Sequence, residues 1–179
     1  MKLADNEQIV IGVFNTQQTA EAFFTALHHH EMIMEAVNVM LSERTRQQEF
    51  DIAAVDPLTM PAVVAMENEG GSGGVATAAT MTIRQLIATG TTIPTACYDL
   101  VVAGPIVTAI HDGHQPAFAI DFVDWLTELG ISKMNAEICQ QNLDNGATLI
   151  SVATHGENAA AIDQLMSDNG ADQILSGRE

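Results

Sequence analysis

Aromatic side chains are scarce in this sequence, at 4% of the chain. A core built from it has to pack Ala, Val, Ile, Leu and Met, which suits close approach of helices through small residues. Basic side chains are fewer still beside their acidic counterparts: 6 Lys and Arg stand against 23 Asp and Glu, for a formal net charge of -17. Nucleic-acid binding draws on Lys and Arg to displace counterions from phosphate. Scattered cations with no basic stripe exclude that partner and disfavour anionic membrane surfaces. There are only 2 cysteines, Cys97 and Cys139, with no CxxC spacing and no neighbouring His. That excludes a disulfide framework and leaves them as free thiols. No apolar run reaches the about 20 residues of a membrane span, because Arg84 and Asp99 interrupt the most apolar stretch and Thr is frequent in it. The first eight residues are polar and charged, without the apolar stretch of a signal peptide, so a cytoplasmic location is expected.

What is present is apolar mass: 47% of the 179 residues are hydrophobic, enough for one or at most two domains with a real core. The run 8–14 (Gln-Ile-Val-Ile-Gly-Val-Phe) is β-rich and too short for a helix. Asn15 and Thr16 offer a helix cap, and Ala20, Phe23, Phe24 and Leu27 follow at helical spacing, which predicts a helix over 16–30 and a strand over 36–41. The end of the chain repeats the pattern. Asn145-Gly146 is a turn or helix stop, 147–153 alternates as a strand, 157–169 reads as a helix with Ala161, Ile162, Leu165 and Met166 inward, and 172–175 can close it as a short strand. Two such β-α-β units predict an α+β fold with a split ferredoxin-like core. Residues 1–41 and 145–179 are its halves, and 42–144 is a long Ala/Gly/Thr-rich helical insert between them. Chain closure over such a distance costs little, since it grows only logarithmically with loop length.

Within the insert, 42–69 is polar and acidic and reads as an excursion with little regular structure, and 70–74 is a glycine-rich turn. A helix is expected over 75–88, stopping at Gly90. Pro94 and Gly104-Pro105 break the next stretch into short pieces, with a helical turn or two over 106–110. Residues 117–129 form the clearest amphipathic pattern, with Phe118, Phe122, Trp125 and Leu129 on one side and Asp121, Asp124 and Glu128 on the other. Ser132 caps a further helix to Asp144. A small-residue helical hairpin, packed on the sheet or on another subunit, is the expected form of the insert.

Three features then coincide. Val10-Ile11-Gly12-Val13-Phe14 leads straight into an acidic-alanine helix. A glycine-rich turn feeds an Ala/Gly/Thr stretch containing Ala103-Gly104-Pro105. Gly130-Ile131-Ser132 precedes a helix that runs into Asn145-Gly146-Ala147-Thr148-Leu149-Ile150-Ser151-Val152. In this order the chain resembles the bacterial general stress protein 17M-like (YflT-like) domain family over nearly its whole length. The middle here is richer in Thr and poorer in Gly, and the acidic loop at 42–69 is longer. The resemblance implies stress-associated expression and carries no catalytic residues with it.

Candidate chemistry is sparse. His28, His29 and His30 are consecutive, and on a helix they point about 100° apart, so they cannot share one metal. His111-Asp112-Gly113-His114 lies in a loop where both imidazoles can turn inward, with His155 as a third ligand, and this is the candidate metal site. Asp121, Asp124 and Glu128 read as a solvated helix face. No G-x-S-x-G elbow surrounds any Ser, and the 70–74 glycine run lacks the Lys-Ser/Thr of a phosphate loop. Thr154-His155-Gly156, between a strand and a helix N-terminus, is a position where a ligand can bind. No enzyme and no cofactor are expected. The expected function is a non-enzymatic, stress-associated protein that forms a homo-oligomer through its helical insert. Ile106, Ile110, Phe118, Phe122, Trp125 and Leu129 are the interface candidates. The alternative is a regulatory module that binds a small molecule or metal through the loop histidines.

Overall fold

The computed structural model describes residues 7–29, 37–52, 82–107 and 121–176. Six strands and six helices lie along them, in this order: β1 (Glu7–Phe14), α1 (Gln17–His29), β2 (Val37–Ser42), α2 (Glu43–Gln48), α3 (Ile83–Ala88), β3 (Thr91–Pro94), β4 (Asp99–Ala103), α4 (Phe122–Glu128), α5 (Lys133–Asp144), β5 (Thr148–His155), α6 (Gly156–Asp168) and β6 (Gln173–Ser176). The protein is a mixed α+β structure. Its strands form one sheet in the order β3-β4-β2-β5-β1-β6, and every neighbouring pair is antiparallel.

The central strands are apolar on both faces, which is why they read as nearly unbroken hydrophobic runs. Side chains alternate across the sheet, so one register assigns each residue to a layer. Val10 pairs with Val152 and Val39 with Ile150, and these face α1 and α6 together with Phe14 and Val101. Val13 pairs with Leu149 and Met40 with Val102, and these face α4 and α5 on the other side. The first layer is completed by Ala20, Phe23, Phe24 and Leu27 of α1 and by Ile162 and Met166 of α6, with Phe14 and Phe23 stacked 5.2 Å apart. The second layer is completed by Phe122 and Leu126 of α4 and by Ala136, Cys139 and Leu143 of α5. At the crossing of α6 over β1 stands Gly12, where a Cβ would lie 2.9 Å from Met166 Sδ. Its lack of a side chain lets the helix settle onto the strand.

Helix starts follow local capping chemistry. The hydroxyl of Ser42 accepts Thr45 N–H at 3.0 Å for α2, that of Ser132 accepts Asn135 N–H at 3.2 Å for α5, and Thr82 forms a reciprocal box with Gln85 for α3. At the start of α1, Thr16 Oγ1 accepts Thr19 N–H at 3.3 Å.

Three expectations about the middle of the chain are corrected. Residues 91–94 and 99–103, expected within a helical hairpin, are strands, and β4 pairs with β2 to extend the sheet. Thr91, Thr92, Ile93, Val101 and Val102 are β-branched and suit a pleated surface. The acidic stretch after β2 begins with the short helix α2. The helix expected over 117–129 does not run through Asp121, which caps α4 at Phe122: its carboxylate accepts the N–H groups of Val123 at 3.0 Å and Asp124 at 3.1 Å, and 117–120 lie outside the described residues. Of the helix expected over 75–88, Ile83–Ala88 is helical and 75–81 lies outside the described residues, as do the glycine run 70–74 and residues 108–110.

Candidate functional site

The densest buried polar chemistry lies at the corner where β2 passes into α2. Ser42 Oγ and Thr45 Oγ1 are 2.8 Å apart, and Thr45 Oγ1 donates to the Gly146 carbonyl at 3.2 Å, tying α2 to the turn before β5. Ser42 therefore donates to Thr45, since each hydroxyl has one proton to give. One residue on, Arg46 has no exposed surface at all. Its Nη2 donates to Glu43 Oε1 at 2.7 Å across one helical turn, and the same oxygen accepts Gln47 Nε2 at 2.9 Å. Glu43 Oε2 is enclosed and has no hydrogen-bond donor among the described residues. Such a pair in a low-dielectric interior depends on both charges being present. Nothing in the local pattern signals that Arg46 is buried. The Ser-Glu start after an apolar strand does signal the helix that carries it.

A second polar anchor is Asn38 of β2. Its Oδ1 accepts Ile106 N–H at 2.7 Å, and its Nδ2 donates to Ser151 Oγ at 3.2 Å. One amide thus fixes the chain leaving β4 and the middle of β5.

A third cluster surrounds the β3–β4 hairpin. Thr95 N–H donates to the Tyr98 carbonyl at 3.0 Å, closing the turn. The Tyr98 ring packs against the layer under α4 and α5, and its hydroxyl is enclosed with no hydrogen-bond partner among the described residues. Burial raises the phenol's pKa, helped by the negative charges that Asp144, Cys97 and Cys139 carry when ionised. Burial also pushes the Cys139 thiol up to about 12. Both groups are neutral at physiological pH, and Cys139 is a core side chain rather than a thiolate nucleophile. Cys97 is exposed.

The sequence candidates do not converge among the described residues. His155 ends β5 as the N-cap of α6 and is exposed, making no capping hydrogen bond with its side chain. His111 and His114 lie outside the described residues. Among those described, no three His, Cys, Asp or Glu side chains are grouped as a metal would need. His28 sits edge-on to Phe24 at 5.2 Å, and His30 is outside the described residues. Of the interface candidates, Phe122, Leu129 and Ile106 are buried in the chain's own core against the sheet. Trp125 is half-buried beside Phe122, and Phe118 and Ile110 lie outside the described residues. No described helix is long and apolar enough to cross a membrane.

One carboxylate is held at a disadvantage. Asp163 of α6 has Oδ1 fully enclosed without a hydrogen-bond donor among the described residues, although the residue as a whole is only half-buried. Burial raises its pKa. A carboxyl whose folded pKa is above its unfolded value weakens the fold above that folded pKa, and the penalty is gone below the unfolded value near about 3.9. Asp163→Asn is therefore expected to raise the thermal midpoint at neutral pH. The gain should shrink as pH falls and vanish below about pH 4, as followed by calorimetry across a pH series.

No family model, characterised protein or solved structure matches this chain.

Proposed function

We propose that this chain is a non-enzymatic, stress-associated protein that self-associates through the helical layer of its middle region. The observation that carries the proposal is Met134 on the outer side of α5, which is 65% exposed and stands alone as an exposed large hydrophobic among the described residues. Ile138, one turn along the same face, and Trp125 of the neighbouring α4 are half-buried. Contact between copies through the α5 face covers Met134 and Ile138. The stress association comes from the resemblance of the chain's motifs to the general stress family. The frame beneath is proposed to be ferredoxin-like: strands β6-β1-β5-β2 lie in that order, and their two crossover helices, α1 and α6, share one face of the sheet.

A net charge of -17 opposes such contact through long-range repulsion. Repulsion beyond about 10 Å is screened at 0.1 M salt. Light scattering on the full chain is expected to show a larger assembly as salt is raised from low to about 1 M. Met134→Glu should lower the assembled fraction at every salt concentration while leaving the thermal midpoint unchanged. A chain that stays monomeric at all salt and protein concentrations sinks the proposal.

A further inference from the structure

The tetrapeptide Asp-Asn-Gly-Ala occurs twice, at 144–147 and at 168–171. The first ends α5 and the second ends α6, by the same backbone pattern. The glycine N–H returns to the carbonyl of the third residue back, Gly146 to Leu143 at 3.0 Å and Gly170 to Ser167 at 3.2 Å. The alanine N–H reaches further back, Ala147 to Asn142 and Ala171 to Met166, both at 3.0 Å. Both glycines have positive φ, +90° and +83°. Asn-Gly is among the dipeptides most prone to lose side-chain ammonia, because glycine has no Cβ to shield its nitrogen from the asparagine side chain. With tetrapeptide and backbone matched, the surroundings tell the two sites apart. Asn169 is half-buried, and its Nδ2 donates to the Leu165 carbonyl at 2.8 Å. Asn145 is exposed, and its carboxamide makes no hydrogen bond among the described residues. A Cβ on Gly170 would lie 2.9 Å from Thr19 Cγ2, whereas one on Gly146 would meet nothing nearer than Thr45 Oγ1 at 3.7 Å. Just past Gly170, the Asp172 N–H ties the chain to the Val13 carbonyl of β1 at 2.8 Å.

We propose that Asn145 is a site of spontaneous deamidation, that the fold protects Asn169 from the same reaction, and that the product loosens the corner where α2 is tied to β5. The Gly146 nitrogen attacks Asn145 Cγ. The new N–C bond closes a cyclic imide, and the Cγ–Nδ2 bond breaks as ammonia leaves with the proton of the glycine N–H. Water then opens the imide at either carbonyl, giving aspartate or isoaspartate. At the Asn145 ψ of 0° the Gly146 nitrogen is turned away from Cγ. The step therefore waits on rotation about the Asn145 Cα–C bond, which breaks the hydrogen bond to Leu143. Asn169, with ψ of 14°, needs the same rotation and must also give up its bond to Leu165. Isoaspartate routes the backbone through the side chain and so adds a methylene before Gly146. The Gly146 carbonyl accepts Thr45 Oγ1 at 3.2 Å, so this tie is the first contact to be displaced. Either product also adds a carboxylate beside Asp144 at the C-terminal end of α5, where the helix dipole opposes negative charge. The modified chain is accordingly less stable, and Asn145 sets a lifetime for the fold.

The full chain is incubated folded in mildly alkaline buffer, beside a sample unfolded in urea, and conversion at each site is followed by peptide mass spectrometry. In the folded chain Asn145 is expected to convert about two- to tenfold faster than Asn169, the factor that one net hydrogen bond on the Asn169 side chain supplies. In urea the two rates should be equal, because the tetrapeptide is the same. The thermal midpoint of the wild-type chain should fall in step with conversion at 145. Asn145→Ser, incubated alongside, should keep its own midpoint. Conversion of Asn169 as fast as that of Asn145 in the folded chain overturns the inference. So does an Asn145 that is modified in urea but stays intact when folded. A preference for Asn145 as large in urea as in the folded chain overturns the protective role of the fold. A midpoint that holds while Asn145 converts overturns the effect on the corner.

Discussion

Replacing Arg46 with alanine is expected to destabilise the protein by about 3–5 kcal/mol, the cost of breaking a buried ion pair by removing one partner. Arg46 is 0% exposed and Glu43 only 16%, and their charged atoms meet at 2.7 Å. Losing the guanidinium leaves the enclosed Glu43 carboxylate without its charge partner and a cavity beside α2. Glu43→Gln should also be destabilising, since it removes the charge that the buried guanidinium meets at 2.7 Å. Exchanging both for apolar residues of similar volume, Glu43→Leu with Arg46→Met, is expected to recover much of the loss, because desolvating two charges is itself costly. Urea unfolding of the three variants reads this directly. An Arg46→Ala loss below about 1 kcal/mol would mean that the pair is effectively solvated, as surface pairs of that worth are.

Gly104→Ala is expected to be nearly as damaging. Gly104 follows β4 with φ of +107°, a region that residues with a Cβ rarely adopt. A Cβ there would press on the Val37 carbonyl and come within 2.9 Å of Asn38 Cα and Asn38 Oδ1. Those neighbours are the backbone of β2 and the oxygen that accepts Ile106 N–H, so neither moves freely. Strain and a disturbed Asn38 anchor together are expected to cost about 3 kcal/mol. That corresponds to roughly a 10 °C fall in thermal midpoint for a chain of this size. A double-mutant cycle with Asn38→Ala should be non-additive, since the two positions share contacts. Additive losses would mean that the glycine acts independently of the amide.

How much of the fold is legible in the sequence differs from element to element. β1, α1, β5 and α6 announce themselves, because their apolar spacing switches between strand and helix periods at turn residues such as Asn15, Gly146 and Gly170. The β3–β4 hairpin does not. Leu100, Val101, Val102 and Ala103 are all buried, so the run has no alternation to tell a strand from a piece of buried helix. Asp121 reads equally well as a solvated helix residue or as a cap, and only the observed hydrogen bonds decide for the cap. The pattern Phe122-Trp125-Leu129 shows that one side of α4 is apolar. It is silent on whether that side meets a second copy or, as found, the chain's own sheet. The candidate polar corner is least visible of all, since Arg46 looks like any helix-surface arginine in a polar stretch.

The sequence alone determined the acidic charge, the α+β class, the apolar faces of the helices and the caps that start several of them. These depend on residues within a few positions of one another, where spacing and capping act. Only the tertiary structure decided that β4 lies against β2, that Val10 meets Val152 across the sheet, that Arg46 goes inside and that β6 ends the sheet among the described residues. Those outcomes depend on pairings between distant parts of the chain, and a strand's own side-chain pattern says which face it buries but not which strand it sits beside.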